Sequence, residues 1–156
     1  MLYDQRDHYG PDSFFSDNEQ GANPLDSSVA DDFVVPGPFG SAVTERVRFY
    51  LDAGGLPGGV IATIRNAQGT LVGGSLSIPL GPSAPTLSSG HYWVAVQGNT
   101  RGGWLWNTRT VTDNGPAAWE NPRNGYGTGC ITWGTLNACL NTDVGDFMFA
   151  LEGLRS

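Results

Sequence analysis

From about residue 30 onward, apolar and polar side chains alternate with a period of two, and no segment sustains a helical period of 3.6. The clearest run is Glu45–Leu51, where Val47, Phe49 and Leu51 alternate with Arg46, Arg48 and Tyr50. This predicts a strand with one apolar and one wet face. Asp32–Val35 and Val60–Arg65 read as further strands, and DAGGLPGG (52–59) and NAQG (66–69) read as the turns around the latter. In Leu71–Leu80, Leu76, Ile78 and Leu80 alternate, and Pro79 points to an edge or a strand end. HYWVAVQ (91–97) has no purely polar face, as expected of a central strand. WLWNTRTV (104–111) sends Trp104, Trp106, Thr108 and Thr110 to one side, and Asp146–Gly153 sets Phe147, Phe149 and Leu151 opposite Asp146, Met148, Ala150 and Glu152. Seven or eight short strands joined by turns predict an all-β fold, a two-sheet antiparallel β-sandwich of jelly-roll or Ig-like type.

Residues 1–28 lack this pattern. Residues 1–32 hold eight of the fifteen acidic residues with Arg6 as the lone base, and Gly10-Pro11 and Asn23-Pro24 interrupt regular structure. The expected organisation is an irregular acidic arm over 1–28, with a strand at Leu2–Gln5, and one sandwich domain over 29–156. At 156 residues the chain suits one core that buries roughly 70% of the unfolded surface.

Composition then removes whole classes of chemistry. All eight basic residues are Arg, so Schiff-base and pyridoxal chemistry and Lys–Asn crosslinking have no nucleophile. A net charge of -7 disfavours nucleic acid and anionic membrane as partners, since both require a basic stripe. No apolar run approaches the roughly 18 residues of a membrane span, so the chain is expected to be soluble. MLYDQRDHYG lacks the n- and h-regions of a signal peptide. The opening therefore leaves open export with a leader removed or a cytosolic location.

The cysteines decide between them. Cys130 and Cys139 are the sole pair, and two thiols with no histidine nearby cannot complete a structural zinc site. A disulfide fits better, closing a short ring worth roughly 2.5–3 kcal/mol and favouring an oxidising, secreted setting. Catalysis finds little support. His8 and His91 accompany no G-x-S-x-G elbow, and of Glu19, Glu45, Glu120 and Glu152 only Glu120 has an inviting neighbour, Trp119. The chain is expected not to be an enzyme and to need no cofactor beyond a structural calcium. Asp31, Asp32, Asp143 and Asp146 offer hard oxygen ligands for such an ion between the start and end of the sandwich, as do Asp4 and Asp7, against the default of solvated carboxylates.

Aromatic side chains are the richer resource. Trp93, Trp104, Trp106, Trp119 and Trp133 fall within the last 64 residues, interleaved with Asn107, Arg109, Asn121, Arg123 and Asn124. Flat rings stack on sugar C–H faces while amides and guanidinium groups bind hydroxyls, though tryptophan is equally a core filler. Trp119 and Trp133 fall in expected loops and are the better exposed candidates. With Tyr126, Asn121 and Arg123 they form the expected ligand-binding set, at the rim of a stapled surface loop.

The segments LYDQ (2–5), VADDFVVP (29–36), LDAGGLPGGVIAT (51–63), SSGHYWVAVQ (88–97), PAAWENP (116–122), GYGTGCITWG (125–134) and DFMFALEG (146–153) together resemble a family of secreted bacterial β-sandwich modules. These are similar in outline to carbohydrate-binding and adhesion jelly rolls. The resemblance implies export, a cysteine-bridged C-terminal loop and no catalytic residues. The chain departs from the family between Pro36 and Val47, where an additional strand is missing, and an unpaired edge invites completion by another chain. The expected function is a non-catalytic extracellular or cell-surface module that binds a polysaccharide or cell-surface glycan. The alternative is a structural subunit of an extracellular filament, assembled with identical subunits by donation of the N-terminal arm as a strand.

Overall fold

The computed structural model describes residues 3–17, 24–34, 45–72, 75–99 and 104–153. The absence of a polar face in HYWVAVQ places His91–Gly98 (β8) in the middle of a six-stranded antiparallel sheet. Ser28–Val34 (β3) pairs on one side of it and Glu45–Asp52 (β4) on the other. Pro57–Ala67 (β5) extends the sheet beyond β4. Ala118–Glu120 (β10) and Gly134–Thr135 (β11) extend it beyond β3, giving the order β11-β10-β3-β8-β4-β5. The β4–β5 turn is DAGGLPGG as expected. Gly54 and Gly55 take positive φ (71° and 84°), and Asp52 accepts hydrogen bonds from both of their N–H groups.

A second layer lies over one face of this sheet. Tyr9–Phe15 (β2) pairs with Leu105–Arg109 (β9), and Tyr3–Asp4 (β1) pairs with Ala150–Leu151 (β12). The segment before β12 joins the two pairs. Phe147 bridges Thr108, Met148 N–H donates to Asn107 O at 2.8 Å, and Gln5 N–H donates to Phe149 O at 2.9 Å. Ser16 and Asp17 carry the chain from this layer to the first, where Gly98 N–H donates to Ser16 O at 2.8 Å. Thr70–Val72 (β6) and Ser75–Ser77 (β7) form a separate hairpin. Leu136–Leu140 (α1) is one turn and a half of helix.

The core fills the space between layers. Val47, Phe49, Val94, Val96, Val29 and Trp119 come from the large sheet, and Trp106, Phe147 and Leu151 from the small one. Trp106 packs on Phe147 at 5.3 Å and on Phe149 at 5.8 Å between ring centroids, and Phe14 meets Phe147 edge-on. The architecture is all-β and antiparallel, as the alternation predicts, although its strand order does not close a jelly roll among the described residues.

Three expectations change. The arm over 1–28 is more regular than expected where it is described, since beyond the expected strand at its start (β1) it supplies β2. Gly10 is required inside β2 because a Cβ there would lie 2.4 Å from Thr108 Oγ1, and Pro11 is tolerated in the register shift between Tyr9 and Ser13 on an edge strand. The alternation of β4 keeps its register along β8 but not its burial: Tyr50, on the Arg48 face, is buried, and Leu51, on the Phe49 face, is exposed. Leu71–Leu80 is a hairpin followed by a turn rather than one strand. The departure expected between Pro36 and Val47 lies outside the described residues up to position 44.

Candidate functional site

The outer face of the six-stranded sheet, turned away from the second layer, carries a continuous row. Thr63, Arg48, Ala95, Ala30, Ala118 and Thr135 stand side by side across β5, β4, β8, β3, β10 and β11. The three alanines form a low floor, and larger side chains lie over it. Tyr50, opposite Trp93, meets Trp133 edge to face at 5.6 Å, and with Leu56 these rings make a second, smaller apolar cluster. Trp93 is fully buried, with its Nε1 donating to Asp52 at 2.9 Å. Trp133 remains part exposed.

Beside the rings runs a polar array. Arg48 donates to Tyr50 Oη at 3.0 Å and to Gln97 Oε1 at 2.9 Å, and Arg46 donates to the same oxygen at 3.4 Å. Gln97 is held from behind, its Nε2 donating to Ser27 O at 2.7 Å. Glu120 approaches Arg48 to 3.9 Å. Burial pushes the Glu120 carboxyl up, opposed by Arg48 and by a hydrogen bond from Ser28. Burial likewise raises the Tyr50 phenol. Arg46 is held below the usual guanidinium range by burial first, then by its neighbours Arg48 and Arg65.

The expected ligand-binding set is divided between the two faces. Trp119 lies in a strand, not a loop, and is buried against the main core; Tyr126 packs edge-on against it at 5.8 Å. Asn121 is wholly buried and structural. Its amide donates to Pro24 O and Asp26 O, and its Oδ1 accepts from Tyr126 N–H. Arg123 and Tyr126 are exposed on the stapled loop, whereas Trp133 stands on the outer face with Tyr50. The disulfide Cys130–Cys139 is formed, with Cα atoms 5.8 Å apart, and ties that loop to α1.

The aspartates expected as calcium ligands are Asp31, Asp32, Asp143 and Asp146. Asp31 and Asp146 are fully buried rather than solvated. Asp31 Oδ2 accepts from Phe147 N–H at 2.7 Å and from Gln5 Nε2. Asp146 lies 3.7 Å from the buried Arg109 guanidinium, which also binds Asp7 and, at 2.8 Å, Asp113. Burial disfavours the charged Arg109, but its hydrogen bonds to Asp113 and Asp7 outweigh this and raise its pKa. Of the expected set, the guanidinium reaches Asp146. Asp143 is exposed, and the Asp32 side chain lies outside what the structure describes. Among the described residues, no three His, Cys, Asp or Glu side chains are grouped to hold a metal ion.

Two other features compete for attention. A cleft of about 1790 Å³ opens between the layers beneath residues 76–84. Its floor is made of core side chains, among them Val47, Phe49, Val94, Val96 and Trp106, and its polar lining includes Arg6 beside Asp4, Asp7 and Glu152, with Arg6 already paired to Asp4. Glu45 has its carboxyl raised to about 7, by burial and then by Asp17, but it is 2% exposed and faces inward.

Sequence reasoning identified Trp133 but not its companions. Arg46, Arg48 and Tyr50 were legible as the wet face of one strand. Their meeting with Gln97, Glu120 and Trp133 depends on strand order. Comparison with protein families, curated proteins and solved structures found no match. Among the described residues no helix is long and apolar enough to cross a membrane.

Proposed function

We propose that this protein is a non-catalytic extracellular binding module that takes a saccharide on the outer face of its six-stranded sheet. The observation that carries this reading is the juxtaposition of the Tyr50–Trp133 aromatic pair with the hydrogen-bonded Arg48, Gln97 and Glu120. Trp133, part exposed and backed by the buried Tyr50, supplies a stacking surface, and the fixed Arg48 fork and the Glu120 carboxylate supply hydroxyl partners at a small ordering cost. The formed disulfide supports an oxidising, secreted setting.

The raised carboxyls do not favour catalysis. Glu45 is shut inside the sandwich, and the charged neighbour of Glu120 is Arg48 rather than a second carboxylate. Strand addition finds its support in β5, which has a single neighbour among the described residues. Against it, β5 is bulged three times along β4, and the proposed donor strands are already paired within the chain.

Trp133→Ala tests the reading. The variant should unfold near the parent's midpoint and lose about tenfold or more in retention on a polysaccharide that the parent binds, measured by affinity electrophoresis. Unchanged retention would place the ligand elsewhere.

A further inference from the structure

The ion pairs of the described residues leave one region of this acidic molecule with excess positive charge. Arg6 is paired with Asp4 at 2.9 Å, and Arg109 with three aspartates. Arg48 is 3.9 Å from Glu120, whereas Arg46 and Arg65 make no ion pair among the described residues. Arg46 falls in the register shift opposite Arg65 and Asn66, so both stand at the same end of the β4–β5 pair. Three of the chain's eight arginines therefore sit together on adjacent strands of a protein whose net charge is -7. Asp26 and Glu120 offset them only in part.

Like charges held this close repel, and the surrounding fold does not relieve them. Gln97 instead fixes two of them, since one amide oxygen accepts from both Arg46 and Arg48. The result is a pair of guanidinium groups held side by side next to an aromatic ring pair. Guanidinium forks match carboxylate oxygens in spacing and plane. We propose that the outer face recognises an acidic polysaccharide, a carboxylate of one sugar bound at Arg46 and Arg65 beside the fixed Arg48, and the ring of another sugar stacked at Trp133. This rests on the outer face being the binding site. A polyphosphate chain is a poor fit, because it has no ring to stack at Trp133.

The test uses the whole, non-reduced protein on three uronate polymers (polygalacturonate, alginate and hyaluronan), on their carboxyl-reduced forms and on neutral glucans and xylan. Arg46→Gln, Arg65→Gln and the double variant are compared with the parent, with unfolding midpoints as a check on folding. Expected is retention on at least one uronate polymer that falls at least tenfold on carboxyl reduction, in 0.5 M NaCl, and in the double variant. Retention on neutral or carboxyl-reduced polymers that ignores both arginines would overturn the acidic specificity and leave saccharide binding standing. Failure to be retained on any polymer, acidic or neutral, would overturn both. If the double variant misfolds, the single variants and carboxyl reduction still decide, since reduction changes only the ligand.

Discussion

Glu45 begins a strand whose next two inward positions are Val47 and Phe49, and the period of two therefore carries its carboxyl into the end of the core. Its Oε2 meets no hydrogen-bond partner among the described residues, and Asp17 lies close enough to oppose its charge. The folded protein accordingly holds this proton up to about pH 7, against an ordinary value of 4.5. Because the folded pKa is the higher one, the group's contribution to stability is full below pH 4.5 and is lost as the pH rises through 7. The loss is on the order of 3 kcal/mol. Glu45→Gln should flatten that part of the profile and exceed the parent in stability at pH 8. Urea midpoints at pH 5 and pH 8 check this, and parallel profiles for parent and variant would refute it.

At the scale of elements, the N-terminal strands are integral to the second layer. Gln5 joins Asp31 to Phe147 O, lies 3.4 Å from Arg109 and accepts from Tyr3 Oη at 2.7 Å, while Phe14 packs on Phe147. Removing residues 1–15 would leave buried Asp31 and Arg109 short of partners, at a cost of about 3–5 kcal/mol. The truncated chain is expected to unfold at a much lower urea concentration than the parent. Equal stability would restore the picture of a detachable arm. The stapled loop works differently. The bridge between Cys130 and Cys139 restricts one short segment beside β11, a chain-entropy gain of roughly 2.5–3 kcal/mol, and anchors it to the core, where Cys139 packs with Leu136.

For the whole molecule, the question is whether it associates through a sheet edge. The β11 edge is two residues long and is followed at once by α1 and the disulfide. The β5 edge is long and exposes Val60 and Ile61, but its three bulges twist it away from flat pairing. With the added self-repulsion of a net charge of -7, the protein is expected to sediment as a monomer at high concentration. Assemblies that grow with concentration and resist mild denaturant would instead support strand addition.

The alternation of side chains was enough to determine the all-β class and the central position of HYWVAVQ, and residue types within a few positions determined the DAGGLPGG turn and the choice of a disulfide over zinc, because each depends on near neighbours in the chain. What lay beyond that reach was decided by the tertiary structure. Gly10-Pro11 looks like a break until β9 passes over it, since only the close approach of Thr108 explains a glycine inside a strand. Trp119 and Trp133 look alike in sequence, yet pairing with β3 turns one into the core while packing on Tyr50 places the other on the opposite face. Asp31 and Asp146 look like solvated carboxylates until the fold buries both, one accepting from Gln5 and Phe147 N–H and the other beside Arg109. The outer-face array joins residues 46 to 133 through strand order, and a local period of two carries no information about which strands become neighbours.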